Sequence, residues 1–260
     1  MIHVIINPVS GTGADTQAAA RRADIVEAAA RRRGASFTIT FTERQGHARE
    51  LAIAAVAAGA ENVVVWGGDG TFNEAAGALI GTSIPIALVP AGSGNGLAGA
   101  LGVPRDPHAA LALAFSTRHR TIDAGTMAGR FFFNIAGIGF DARVATLFNQ
   151  RAAGTRGGWP YIAIGVREGC RYCAVDYDVR LDDRPFKSRA LLIAFANGTE
   201  YGLGARIAPD ARLDDGLLDV IVNAAPRRRA AASTMAARLA AACVSAPAPE
   251  TGLMMTWITV

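Results

Sequence analysis

The stretch from Asn62 to Glu74 reads Asn-Val-Val-Val-Trp-Gly-Gly-Asp-Gly-Thr-Phe-Asn-Glu, and it constrains the fold more than any other part of the chain. Val63, Val64, Val65 and Trp66 form a β-branched and aromatic run, which predicts a short strand buried on both faces. Such a strand belongs in the middle of an open α/β sheet. Gly67 and Gly68 end it, Asp69 stands at its carboxyl end, and Gly70-Thr71 turns the chain into a helix expected to begin near Phe72. Ligands of open α/β sheets bind at the carboxyl ends of strands, so Asp69 points into such a crevice. Glycines at 67, 68 and 70 let backbone N–H groups approach a bulky anion, and the amino end of the next helix is a ready phosphate site. A carboxylate among phosphate-binding amides makes sense if a divalent cation bridges them. A tight strand-to-helix turn with Asp69 as a cap explains the same residues, and the turn alone leaves both readings open. On the first reading, Asp69→Asn abolishes Mg-dependent nucleotide binding and leaves the melt nearly unchanged.

Two further strands end in the same way. Ile2 to Ile6 runs into Asn7-Pro8-Val9-Ser10-Gly11-Thr12-Gly13, which opens a helix over 14–33. Ile84 to Val89 runs into Pro90-Ala91-Gly92-Ser93-Gly94-Asn95-Gly96. Three small-residue loops at strand ends can line one crevice together. Between them lie a strand over Phe37 to Phe41, the turn from Thr42 to His47, and an alanine-rich helix ending at Gly59. Arg31, Arg32 and Arg33 precede Gly34 and fit the last turn of a helix, where cations suit the dipole. The formal net charge of +4 rests almost wholly on arginine, because Lys187 is the only lysine. No Gly-Lys-Ser/Thr triplet occurs, so any nucleotide is held without a P-loop. The positive balance fits an acidic partner, either a nucleotide or an anionic membrane surface, and is too weak and scattered for nucleic acid.

From Arg120 onward the pattern changes to strands: Thr121 to Met127, Arg130 to Ile138, Cys173 to Leu181, Arg189 to Ala196 and Leu217 to Asn223. A helical region over 141–171 interrupts them, and Asp182-Asp183-Arg184 reads as a hairpin turn. The expected architecture is an N-terminal open α/β domain (1–120) followed by a mainly antiparallel β domain (121–260). Cys170, Cys173 and Cys243 make no disulfide framework, and the single C-x-x-C lacks the partners of a zinc site. Two reduced thiols are expected. The amino terminus has no basic leader, and no apolar run approaches the ~20 residues of a membrane span. A cytoplasmic protein, at most peripheral to a membrane, is the expectation.

Gly67-Gly68-Asp69-Gly70-Thr71 with Asn73-Glu74 resembles the signature of the diacylglycerol kinase catalytic-domain family, which includes bacterial lipid kinases and sphingosine kinases. Asn7-Pro8-x-Ser10-Gly11 and Pro90-Ala91-Gly92-Ser93-Gly94-Asn95 match the family in the same order. So do the blocks from Phe133 to Asp141 and from Pro209 to Val220. Gly-Gly-Asp-Gly-Thr also occurs in soluble NAD kinases; the five blocks together are more specific. The resemblance implies a nucleotide-binding first domain, a β-sandwich second domain closing a cleft with it, and a lipid acceptor. It implies ATP held by Asn7, Thr42, the turn of Gly67, Gly68, Asp69, Gly70, Thr71, Phe72 and Asn73, and Ser93. Asp69 would organise Mg²⁺ and the phosphates. A structural Mg²⁺ would sit on the carbonyls of Arg212 and Leu217 and the side chain of Asp215, against which a plain Asp214-Asp215-Gly216 hairpin turn stands open. Asp141 matches a position that contacts the acceptor's polar head, and Asp123 an acidic position of the bacterial enzymes.

Two departures qualify the resemblance. The third loop has Asn95-Gly96-Leu97-Ala98 where many bacterial members read Asn-Asp-Phe-Ala, which leaves the acceptor open. No Asp-Gly-Glu, the block that carries the family's proposed base, occurs; Glu250 is the one carboxylate after Asn223. The residues over 227–244 suit a helix of alanines and arginines rather than a returning strand. The expectation is a chain altered or shortened at its carboxyl end that binds Mg-ATP and turns over lipid slowly or not at all, with Asp141 and Asp123 as fallback bases. An NAD kinase-like enzyme and a non-catalytic nucleotide- or lipid-binding relative are the alternatives.

Overall fold

The computed structural model describes residues 1–11, 16–116, 118–149, 164, 167–169, 172–181, 184–224 and 253–256. Its first half alternates strand and helix: β1 (Ile2–Ile6), α1 (Thr16–Arg32), β2 (Phe37–Phe41), α2 (His47–Ala57), β3 (Asn62–Gly67), α3 (Asp69–Leu79), β4 (Ile86–Pro90), α4 (Gly96–Ala100) and α5 (Pro107–Ala114). The strands β1 to β4 pair in parallel in the order β2-β1-β3-β4, with Ile2 opposite both Phe37 and Asn62, and Val63 opposite Ile86. Right-handed crossovers then send α1 to one face and α2 and α3 to the other. The packing agrees, since α2 lies along α3 while α1 meets α5. Every residue of β3 is buried, as its unbroken apolar run requires of a strand covered on both sides.

Helix α3 begins at Asp69, three residues before the expected start. Gly68 takes an extended conformation as its N-cap (φ −94°, ψ −179°), so the Asp-Gly-Thr of the turn is already helical. The first intrahelical bond, from the Phe72 amide to the Gly68 carbonyl (3.0 Å), leaves the amides of Asp69, Gly70 and Thr71 outside the ladder.

The second half comprises β5 (His119–Ile122), β6 (Gly125–Met127), β7 (Arg130–Phe132), β8 (Ile135–Gly139), α6 (Phe140–Asn149), β9 (Val175–Leu181), β10 (Arg184–Ala196), β11 (Asp219–Ala224) and β12 (Leu253–Thr256). Two strands expected to be continuous are each broken. Over 121–127 the break falls at Asp123, whose amide leaves the ladder to donate to the Leu213 carbonyl (2.6 Å). Over 130–138 it falls at Phe133 and Asn134. Phe133 is fully buried edge-on to Phe72, with ring centroids 5.8 Å apart. The Asn134 carbonyl accepts the amides of Asn197 (2.7 Å) and Gly198 (3.1 Å).

Strand β10 pairs antiparallel with β9, β8 and β11, and β6 forms a small sheet with β7. This is the antiparallel layer that the strand-after-strand pattern predicts. Strand β12 was not foreseen: it inserts between β4 and β5 in the first sheet, parallel to β4 and antiparallel to β5. The expected turn at 182–183, helix over 227–244, and residues Cys170, Cys243 and Glu250 lie outside the described residues. Among the described residues, no helix is long and apolar enough to cross a membrane.

Candidate functional site

Strands β1 and β3 are neighbours, yet the loop after β1 leads to a helix on one face and the loop after β3 to a helix on the other. That divergence is the switch point at which open α/β sheets leave a crevice. The carboxyl ends are level, with Ile6 opposite Trp66 and the Asn7 amide donating to the Trp66 carbonyl (2.9 Å). Asn7 spans the crevice: its Nδ2 donates to Thr71 Oγ1 (2.7 Å), and its Oδ1 accepts the amide of Val9 (3.0 Å). Thr42, at the end of β2, is buried beside this point and donates its amide to the Ile6 carbonyl (2.9 Å). Arg22 holds the first loop from below. Its two terminal nitrogens donate to the carbonyls of Asn7 (2.6 Å) and Ser10 (2.8 Å), and its guanidinium lies 5.9 Å from the centroid of the Trp66 ring.

The second and third loops meet backbone to backbone. A Cβ on Gly68 would stand 3.0 Å from the Gly92 Cα, and one on Gly92 would stand 2.7 Å from the Gly68 Cα, closer than real Cβ atoms come. Asp69 fastens this contact. One carboxylate oxygen accepts the amide of Gly96 (3.0 Å) and the other that of Leu97 (3.2 Å), so Asp69 caps α4 rather than its own helix. Burial pushes its carboxyl above its ordinary value, and the two amides partly offset that. Asn95 shapes the third loop from within: it adopts φ 54°, its Oδ1 accepts from the Gly92 amide (2.7 Å), and its Nδ2 donates to the Gly92 carbonyl (2.8 Å). Ser93 is half-buried in the same loop. Space in front of Gly70 is open. Phe72, by contrast, is fully buried in the core with its amide spent on Gly68, so neither group faces the crevice. Asn73 reaches the other way, its Nδ2 3.5 Å from the Phe131 carbonyl.

The antiparallel layer contributes Asp141, the second residue of α6. Its Oδ2 accepts a hydrogen bond from the Tyr201 hydroxyl (2.9 Å), and burial raises its carboxyl while this bond pulls it back. Asp123 lies with the 212–217 turn. Its Oδ2 accepts the amide of Gly216 (2.7 Å), and its carboxyl is raised first by burial and then by Asp215 and Asp214. In the same turn Asp215 Oδ1 accepts the Leu217 amide (3.1 Å), and Asp214 stands 3.6 Å from Arg120 and 3.8 Å from Arg212. Among the described residues no three His, Cys, Asp or Glu side chains cluster as metal ligands. The metal set expected at Arg212, Asp215 and Leu217 uses one carboxylate and two carbonyls. A cavity of about 270 Å³ opens between Ala100 at the end of α4, Thr199 and Arg212, away from the glycine loops.

Sequence reasoning missed Arg22, Asn95 and Tyr201. Asn95 stands between two glycines, and Asn is one of the few residues that tolerate φ > 0. Arg22 and Tyr201 carry no local signal, because their partners come from other elements.

Residues 1–127 match the family model described as the diacylglycerol kinase catalytic domain. Residues 134–251 match that of the YegS C-terminal NAD kinase beta sandwich-like domain. Among curated relatives, a protein of Pseudomonas aeruginosa (strain UCBPP-PA14) named "Probable lipid kinase YegS-like" is 35% identical over 202 residues, covering 77% of this chain and 67% of its own. A protein of the same name from Chromohalobacter salexigens is 33% identical over 196 residues, covering 74% of this chain and 63% of its own. The chain thus spans roughly two thirds of the length of these relatives. A solved diacylglycerol kinase structure from Bacillus anthracis strain Sterne superposes with a TM-score of 0.64 at 26% identity, covering 85% of this chain and 72% of that one. A second structure from that strain shares the fold with a TM-score of 0.67 at 23% identity.

Proposed function

The chain belongs to the YegS-like lipid kinases of the diacylglycerol kinase catalytic-domain family, and from that premise we propose that it transfers the γ-phosphoryl group of Mg-ATP to a lipid hydroxyl. The observation that carries the proposal is the knot at Asp69, which locks two glycine loops together while leaving the amides of Asp69, Gly70 and Thr71 outside the helical ladder. These amides and the open face of Gly70 fit a polyphosphate, since a Cβ at 70 would take up the room a phosphate oxygen needs. Each Asp69 oxygen has accepted one amide and keeps a second lone pair, so the carboxylate still suits a magnesium ion held directly or through water. Bound there, magnesium supplies charge neutralisation on the phosphates.

The chain's own residues then position. Asn7 and Thr71 fix the spacing of the first two loops, Gly67 and Gly68 let the second loop approach, and Arg22 adds positive charge beneath the first loop, where no P-loop lysine is present. Thr42 and Ser93 border the nucleotide on either side. Asp141 orients the acceptor hydroxyl and takes its proton; Asp123 holds the 212–217 turn, where Arg212, Asp215 and Leu217 are the proposed ligands of a structural magnesium. Docking to the membrane is peripheral. The test is an acceptor screen with purified protein and γ-labelled ATP, offering diacylglycerol and sphingoid micelles beside NAD. Label in a lipid product, lost in Asp141→Asn, is the expected result. Label in NAD alone, or none in any acceptor, overturns the proposal.

A further inference from the structure

Asp141 and the third glycine loop belong to different sheets, and one short segment touches both. Tyr201 donates its hydroxyl to Asp141 Oδ2 (2.9 Å). The residues on either side of it are tied down. The Glu200 carbonyl accepts Asn134 Nδ2 (2.9 Å), and the Tyr201 amide donates to the Ala205 carbonyl (3.1 Å). Gly202 bridges Asn95 in antiparallel fashion, and the Leu203 amide lies 3.4 Å from the Gly94 carbonyl. The approach is as close as backbone allows: Gly202 sits at φ 120°, and a Cβ on it would stand 2.6 Å from the Gly94 carbonyl carbon. Gly96 is pressed equally, since its Cβ would stand 2.7 Å from the Glu200 oxygen. Tyr201 therefore cannot shift without moving the third loop.

We propose that Tyr201 is a positioning residue: it fixes the Asp141 carboxylate toward the acceptor, and the strap from Glu200 to Leu203 sets that carboxylate's distance from the nucleotide loop. The proposal rests on the kinase reading and adds the group that aims the acceptor-binding carboxylate. A phenol donates one hydrogen bond, so Asp141 retains Oδ1 and a further lone pair for a hydroxyl or cationic head group. Strand β8, which leads into α6, is Ile-Ala-Gly-Ile-Gly, and the part of β10 paired with it, Leu192 to Ala196, has no titratable side chain. On α6 itself, Arg143 bonds to Glu168 (3.2 Å). Burial raises the Asp141 carboxyl and the Tyr201 bond lowers it, so removing the hydroxyl moves it further up.

The experiment uses the full chain and compares the parent with Tyr201→Phe. Carbon-13 carboxyl NMR, with Asp141 assigned by its loss in Asp141→Asn, reads the titration directly. Lipid phosphorylation reads the consequence. Tyr201→Phe is expected to raise the Asp141 midpoint, to carry the acid limb of the rate profile to higher pH, and to cut acceptor kcat/KM about tenfold with the KM for ATP unchanged. In the Asp141→Asn background the same change is expected to have no further effect. Replacing Tyr201 by 3-fluorotyrosine, nearly identical in shape and a stronger donor, moves the midpoint the opposite way and serves if Tyr201→Phe folds poorly. A carboxyl titration unmoved by either variant overturns the proposal, and so does an equal loss in ATP KM and acceptor KM. A parent that phosphorylates no lipid overturns the kinase reading instead, and the titration still decides the Tyr201–Asp141 contact by itself.

Discussion

Asp69 accepts two main-chain amides at a buried position, and this changes what its substitution does. An asparagine there offers one acceptor and turns an NH₂ toward the other amide, leaving a donor facing a donor. Buried hydrogen bonds to a charged group are worth about 1.5–3 kcal/mol, so Asp69→Asn should cost about 2 kcal/mol of stability as well as Mg-ATP affinity. The sequence alone predicted a nearly unchanged melt. A denaturant titration beside calorimetric Mg-ATP binding checks both, and a melt equal to the parent's would show that Asp69 does not hold the loops. Its place among glycines at a strand end was legible in the sequence. Its second role was not, because the amides it caps lie 27 and 28 residues downstream, beyond any local pattern. The Asn7–Thr71 contact joins two loops 64 residues apart, and Tyr201 depends on a carboxylate 60 residues away.

Among elements, the four parallel strands β1 to β4 were read within two residues of their positions, because short apolar or alternating runs bounded by turn residues admit little else. The errors fall where backbone groups of distant segments intervene. Asp123 is drawn off its strand by Leu213, and Asn134 ends another to receive Asn197 and Gly198. Asn197 itself is fully buried, and its Nδ2 donates to the carbonyls of Asp123 and Phe133 (both 2.9 Å), which pins the two breaks to one another. The contact between the second and third loops makes the sharpest prediction at this scale. Gly92 takes no special φ, so an alanine is allowed by its own backbone and excluded only by Gly68 and by Asn95 Oδ1, which its Cβ would approach to 2.9 Å. Overpacking of this kind costs about 1–3 kcal/mol. Gly92→Ala should therefore lower stability by that amount and weaken Mg-ATP binding, while Gly70→Ala, with open space before it, should leave the melt nearly unchanged and weaken only binding. Thermal melts and nucleotide titrations of the pair separate packing from phosphate approach, and equal melts for both variants would show that the loops are not packed this closely.

At the scale of the molecule, the antiparallel layer followed from short strands in succession, but β12 did not, since a four-residue strand inserted between β4 and β5 leaves no periodicity to read. The charge distribution is the other property that belongs to the whole chain. On the proposed peripheral docking, a net charge of +4 attracts an anionic surface weakly, and that attraction is expected to act together with shallow apolar contact. Val9 and Leu203 are the apolar side chains we assign to that contact. They are 42% and 51% exposed, on the first loop and on the strap, the segments on either side of the third glycine loop. The electrostatic part falls with salt as the Debye length shrinks from about 10 Å at 0.1 M to about 3 Å at 1 M, whereas the apolar part does not. Vesicle sedimentation should accordingly show binding that favours anionic over neutral lipid and weakens with salt to a residual level. Leu203→Asn, which keeps a residue tolerant of φ 54°, should remove much of that residue of binding and leave the salt dependence intact. Equal binding to neutral and anionic vesicles at every ionic strength would overturn the electrostatic part, and a Leu203→Asn variant that sediments like the parent at high salt would overturn the apolar one.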